Sequence, residues 1–599
     1  MNEPQVFPDD PYQDSDSEFS RTARVESHQL KIALEKENWF DRLREMVSDW
    51  CSSLLVKECR QALKSRQFVL TYFLLLIVVA FWINYVIIMD GTDRKAPDLG
   101  RSILTGLFVI MGLPLGLVIP FNTFRSLSRE YETGTIQLIS ITTMKPWQII
   151  GGKLGSGILQ MMLYLSILAP CIFMTYLLRG ISLDYIFWML GFGVLGSLFL
   201  TIIGLFLGGI VKTKVLTSIL SVIFLLALGG LFIGWVNFVS ETAEYGSPVD
   251  DSTEMSYLFF VTFVMFGGSM AVLLLTAASS QISFAASNQA TPIRWVLLAQ
   301  QALFLGVLVP VVMGGDFFPR QHGLLMIPMF AGHFWLAIGF LINGESPHLS
   351  RRVLRSSPRS LLGRSWGALL MPGPGRGMLF SYALLLSIVP TFVLLRVLEP
   401  FLFGWTESAF AFQPRQPVPP TWDELIQISQ LLLTVFLYPM FYLALNFLLM
   451  RWVLHRSKSP LNPGSGPMAS LFVGIILIVF SMLISAGLHN YFHPSSAAKE
   501  QNPLWGMYNW YWFFGQVFNS NGDDYFWFLW KLFVMLPAIL VILWAIFVAV
   551  RELQLKPLPI PERVRLDQQP IKPQLPAGET LDDIFGPLAG AQDIEVSSS

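Results

Sequence analysis

Twelve apolar runs, each near the length that crosses a bilayer, alternate with short polar segments along the chain. About twenty helical residues span the hydrocarbon core, and the runs fall near 68–89, 103–122, 154–178, 185–210, 215–238, 257–280, 294–315, 324–343, 379–402, 428–450, 469–488 and 525–550. Lipid cannot hydrogen-bond a bare backbone, so runs of this kind predict helices. The pattern therefore predicts an all-α fold: a polytopic membrane helix bundle of about twelve transmembrane helices with no large soluble domain. Ahead of it, residues 28–67 set Leu30, Ile32, Leu34, Trp39, Phe40, Leu43 and Met46 among charges. That spacing predicts an amphipathic interfacial helix. Residues 1–27 are acidic with no apolar run and predict a disordered tail, as does the Pro-rich segment 551–599.

Composition sharpens the pattern. The chain has 599 residues, 53% of them hydrophobic and only 14% charged, and its mean hydropathy is +0.54. A net charge of -1 argues against a nucleic-acid partner. Basic residues recur after every second run: Arg125 and Arg129, Lys212 and Lys214, Arg351 to Arg364, then Arg451, Arg456 and Lys458, then Arg551. This alternation places those loops and both termini in the cytoplasm. The three cysteines, Cys51, Cys59 and Cys171, have neither metal-ligand nor disulfide spacing.

One polar stretch, REYETGTIQLISITTMKPWQIIGGK at 129–153, lies between two spans and carries too many charges to enter lipid. Gly134 permits a tight turn, and Thr135 is placed to cap a short helix over 135–143. Lys145-Pro146 ends that helix, and Pro146 suits the first position of the next one. The stretch resembles the first cytoplasmic loop of ABC-2 type permeases, the membrane subunits of a class of ATP-binding-cassette transporters. The matching positions are Glu130, Glu132, Gly134, Thr135, Pro146, Gly152 and Lys153. The resemblance implies a coupling helix at 129–153 that docks an ABC ATPase subunit, and an exporter function in a bacterial cytoplasmic (inner) membrane. ATP and magnesium would belong to that partner, with no cofactor in this chain. The basic segment LLVKECRQALKSRQF before the first span also resembles the family. The six-helix unit it covers is 68–280, followed by a second six-helix membrane unit at 281–550.

No ATP-binding loop accompanies these features. At the only Gly-Lys pair, Gly152-Lys153, Trp147 replaces the first glycine that a phosphate-cradling loop needs and Leu154 its hydroxyl residue. The chain itself is thus not expected to be an enzyme. The rival reading is a polytopic lipid-handling enzyme or secondary transporter with no ATPase. The loop 344–378 stands where a second dock would, yet it has Glu345, six arginines and no Glu-x-Gly-Thr pattern. Its arginines read either as topology determinants or as a second ATPase contact. Pro372-Gly373-Pro374-Gly375 predicts a segment too flexible to transmit force, which favours a homodimer formed through the first six spans. Asn84, Gln160, Gln300, Gln301, His333, Asn446 and Lys531 are polar within spans; each is either helix glue or part of a pathway, with Asn84, Gln160, His333 and Asn446 the pathway candidates. Glycines 191, 193, 196, 204, 208 and 209 predict close helix packing. His489 and His493 share a helical face but lack further metal ligands. The crowded aromatics of 489–524 read as an interfacial belt or as a lid.

Overall fold

Ser65 starts the first long helix. Its Oγ accepts from the Phe68 N–H at 3.2 Å, capping one of the donors that a helix start leaves free. The computed structural model describes residues 53–90, 96–136, 144–177, 182–211, 213–245, 253–284, 287–308, 320–346, 349–350, 353–354, 367–403, 422–456, 466–492 and 535–553. Among them are helices and no strand. The two tails and most of the 28–67 segment lie outside the described residues.

The first half runs α1 (Ser53–Leu63), α2 (Arg66–Asp90), α3 (Ala96–Gly112), α4 (Ile119–Glu132), α5 (Pro146–Tyr176), α6 (Leu183–Ile210), α7 (Lys214–Tyr245) and α8 (Thr253–Ile282). The second runs α9 (Ala290–Leu303), α10 (Arg320–Asn343), α11 (Pro374–Phe403), α12 (Trp422–Arg456), α13 (Gly466–Phe492) and α14 (Leu536–Leu553). Each apolar run overlaps a helix, although 309–315 of one run and 525–534 of another lie outside the described residues. Nine helices among the described residues are long and apolar enough to cross a membrane, which makes this an integral multi-pass membrane protein. Their outward faces carry large apolar side chains, such as Leu70, Phe73 and Phe81 on α2 and Leu226 and Ile233 on α7. Surfaces of that size suit lipid and not water.

Helices α3 and α4 form one continuous rod joined by a wider π-helical turn at Leu113–Val118. Pro114 within that turn has no N–H, so the usual ladder cannot run through it. The Ile119 N–H reaches back five residues to the Pro114 carbonyl instead.

Helix α4 packs on α6 where glycine leaves room. A Cβ on Gly204 would stand 2.6 Å from the Pro120 carbonyl oxygen, and one on Gly208 would stand 3.0 Å from that of Phe124. Gly209 receives the side chain of Gln281 from α8. These three glycines meet the close-packing expectation. Gly191 and Gly196 do not, because a Cβ on either would meet nothing within 4 Å. Helix α8 joins the halves: Ala278 and Ile282 enter a cluster with Leu127, Ile149 and Leu205, whereas Leu273 enters the core built by α9 to α12 and α14.

Candidate functional site: a stapled loop at the end of the first helical unit

Helix α4 ends at Glu132, and the backbone turns in two residues. The Thr133 N–H bonds the Arg129 carbonyl at 2.9 Å, the Gly134 N–H bonds that of Tyr131 at 3.3 Å, and Gly134 takes a φ of 73°. Glycine adopts that left-handed conformation without a Cβ penalty, as expected for the turn. Thr135 is tied back to α4, and the N–H groups it is expected to cap lie outside the described residues. Its hydroxyl donates back to the Glu130 carbonyl at 3.2 Å, so it satisfies the end of α4. Helical backbone resumes at Thr135 and Ile136. From residue 137 to 143 the expected coupling helix lies outside the described residues.

The far side of the loop follows the sequence reading. Lys145 is extended, Pro146 opens α5, and the Lys145 N–H donates to Gln148 Oε1 at 2.9 Å. One turn later the chain commits a charge to the interior. Lys153 is 1% exposed, and its Nζ donates to Glu130 Oε1 at 2.8 Å and to Ser126 Oγ at 2.9 Å. Glu58 Oε1 from α1 lies 3.4 Å away on the same nitrogen. Beside this contact, Leu55 of α1 fits against Gly155, where a Cβ would come within 2.6 Å of its Cδ1. One lysine thus ties α1, α4 and α5 together and closes the base of the loop 133–145. The second oxygen of Glu130 is buried without a hydrogen-bond partner among the described residues.

This geometry sorts the motif residues into two sets. Gly152 and Lys153 are buried and act within the chain, with Glu130 as the lysine's partner. Glu132, Thr133, Lys145 and Trp147 are exposed, and Gly134 and Thr135 are half-buried. Only the second set offers a surface. Glu58 went unnoticed in the sequence, although a signal was present: it shares an α1 face with Leu55, Cys59 and Ala62. A charge on an apolar face requires a buried partner.

No protein-family model, curated protein or solved structure matches the chain.

The second half contains a comparable construction. Arg294 on α9 is 1% exposed; its Nη1 donates to the carbonyls of Leu369 and Met371, and its Nη2 to Glu345 Oε2 at 2.6 Å. That same carboxylate oxygen accepts the Gly373 N–H at 2.7 Å. Burial pushes the Glu345 carboxyl up from its ordinary value, against the pull of Arg294, the Gly373 N–H and Arg376. Glu552 of α14 accepts the Gly375 N–H at 2.8 Å and Arg451 Nη1 at 3.0 Å, while its carbonyl accepts from Arg376. The Pro372–Gly377 segment, expected to be flexible, is held by Arg294 of α9, by Glu345 just beyond α10 and by Glu552 of α14. Short Pro-Gly sequence has little intrinsic order, but charge-assisted hydrogen bonds from packed helices override it.

Of the polar residues within spans, Asn446 and Gln301 act as helix glue. Asn446 Oδ1 accepts from Asn343 and Ser470, joining α10, α12 and α13. Gln301 donates to the Leu384 carbonyl and accepts from Trp335 Nε1, joining α9, α10 and α11. Asn84 is exposed and bonds the Ala80 carbonyl of its own helix. Gln160 is buried on α5, and His333 is half-buried on α10. Gln300 is buried with neither amide atom paired among the described residues. Lys531 and His493 lie outside the described residues.

Proposed function

We propose that this chain is the permease subunit of an ABC-2 type transporter, an exporter powered by a separate ATPase subunit that docks on the 129–153 stretch. The observation that carries the reading is the loop's construction. A glycine turn at Gly134 ends one helix, a proline starts the next at Pro146, and the buried Glu130–Lys153–Glu58 joint anchors the base. Force applied at either end of such a loop passes directly into α4 and α5. Glu132, Thr133, Lys145 and Trp147 are the exposed residues of the docking surface. ATP and magnesium belong to the partner, and both termini lie with that surface on the cytoplasmic side. Two copies of the chain pair through the first helical unit.

The test is copurification with a separate ATPase subunit, followed by measurement of its hydrolysis. Glu132→Lys should abolish association or stimulation while membrane insertion is retained. An unchanged, fully stimulated complex would refute the docking assignment. In a variant without Cys51, Cys59 and Cys171, a cysteine at Ser247 should react with an impermeant thiol reagent added outside. One at Ser457 should not. The second reading, a lipid-handling protein with no ATPase, draws on an apolar cavity among α3, α6 and α7, and absence of any copurifying ATPase would favour it.

A further inference from the structure

A cavity of about 340 Å³ lies where α3 and its π-helical turn meet α6 and α7. That volume falls within the range of small-molecule sites, about 300–1,000 Å³. Its walls are apolar: Met111 and Leu115 on one side, Phe192 and Leu200 on the second, Trp235 and Phe238 on the third. Phe192 stacks between Trp188 and Trp235, with ring centroids 5.7 Å and 6.5 Å apart. Two polar groups near the cavity are already committed. Ser197 Oγ donates to the Leu115 carbonyl at 2.6 Å, and Trp235 Nε1 donates to that of Phe108 at 2.9 Å. Neither side-chain donor is left to recognise a polar ligand.

The glycines distinguish this space from a packing seam. Gly112 is required by its neighbour, since a Cβ would come within 2.5 Å of the Trp235 ring, and a Cβ on Gly193 would displace the end of the Met111 side chain, 2.6 Å away. Gly116, Gly196 and Gly234 also line the cavity, yet a Cβ on any of them would meet nothing within 4 Å. Helix approach does not demand glycine there. Their missing side chains leave empty volume. Leu231 and Gly234 are exposed at the rim, so the cavity opens on the outward apolar face of the bundle. Leu115, Ser197 and Leu228 each fall near the middle of their spans, Leu99–Glu132, Leu183–Ile210 and Lys214–Ala243. The opening therefore lies at mid-depth, beyond the reach of headgroups.

We propose that this cavity binds one acyl chain, which enters tail-first from the bilayer and lies against the Phe192–Trp235 stack. At mid-depth the surrounding solvent is hydrocarbon, and a mainly apolar cavity whose Ser197 and Trp235 donors are both satisfied selects for it. The inference holds whether or not an ATPase docks.

The test uses the full chain in nanodiscs that contain either a phospholipid or a free fatty acid with a photoreactive diazirine near the chain terminus. Crosslinks are mapped by peptide mass spectrometry. Labelling of the peptides covering Phe192–Leu200 and Leu228–Phe238 above that of the lipid-facing side of α2 is expected, and the arm that labels identifies the source of the chain. Gly196→Leu and Gly234→Leu fill the space and should each lower that labelling about tenfold. Gly191→Leu adds the same side chain to α6 outside the cavity and should leave it unchanged, which separates occlusion from misfolding. Labelling that persists in both cavity variants, or never exceeds that of α2, would overturn the proposal. So would disulfide formation between two copies carrying Gly234→Cys, because a second chain would then cover the opening.

Discussion

In the first half, Glu130 stands at the last turn before the loop 133–145, and its partner Lys153 lies just beyond that loop. In the second half, Glu345 follows the end of α10, and it accepts the N–H of Gly373 just before α11. Each glutamate thus closes the base of a loop, and each is held by a nearly inaccessible cation, Lys153 or Arg294. The cations differ in what else they hold. Lysine is a compact point charge and gathers two carboxylates and a hydroxyl around one nitrogen. The guanidinium of Arg294 spreads its donors over three carbonyls and a carboxylate, fixing the Leu369–Gly373 segment in place. The loops they close differ as well. The first is thirteen residues with a turn glycine and a proline restart; the second is longer, arginine-rich and lacks the Gly-Thr turn. Anchoring is common to the two halves, whereas the Gly134-Thr135 turn and the Pro146 restart belong to the first.

The strongest way to break this comparison is to remove the cations. Lys153→Met leaves two largely buried carboxylates without their counter-charge, and losing one partner of a buried pair costs about 3–5 kcal/mol. Thermal unfolding in detergent should register the loss. A triple variant, Glu58→Gln with Glu130→Gln and Lys153→Met, should recover most of it, since no uncompensated charge remains. Arg294→Met should be comparably destabilising, and Glu345→Gln alone should not rescue it, because the Leu369 and Met371 carbonyls would still lack their donor. A Lys153→Met protein as stable as the parent would mean that the first loop has no internal anchor.

Much of this was legible in the chain. The length of the apolar runs located the helices because a bilayer tolerates few alternatives to a continuous apolar helix. Gly134 and Pro146 were legible because backbone rules act locally: one conformation favours glycine, and one position suits proline. The charge anchors were less so. Lys153 reads as a surface cation at the entrance to a span, and only its contact with Glu58, 95 positions earlier, makes it interior. Arg294 resembles a snorkelling residue at a helix start, whereas it holds a segment more than seventy positions away. Pairings at that separation depend on tertiary packing and leave no local pattern. Glycine was ambiguous for a related reason: Gly204 and Gly196 lie on the same helix, but one meets a backbone oxygen and the other meets empty space.

A finer comparison uses the two left-handed glycines among the described residues, one at each loop. Gly373 has a φ of 144° and lies 3.4 Å, at its notional Cβ, from Arg376 Nη1. Gly373→Ala forces a side chain into a region close to glycine-only, at about 1–3 kcal/mol, and it disturbs the Arg376–Glu552 contacts as well. Unfolding temperature should fall accordingly. The second half should be affected first, as read by amide hydrogen exchange on α11 and α14.

Gly134 should show the smaller effect and the more informative one. Its φ of 73° lies in the ordinary left-handed region, and a Cβ there would meet nothing within 4 Å. Only backbone strain opposes Gly134→Ala, about 1 kcal/mol. Gly134→Asn should cost less, because asparagine visits this conformation more readily. Stability by thermal unfolding should therefore rank glycine above asparagine and asparagine above alanine, within a narrow span. If the loop is a dock, stimulation of a bound ATPase should follow the same order with a larger amplitude, since a changed turn redirects the surface that follows it. Equal stimulation across the three variants, with the stability ranking intact, would leave Gly134 as a helix stop and remove the directional role assigned to the first loop.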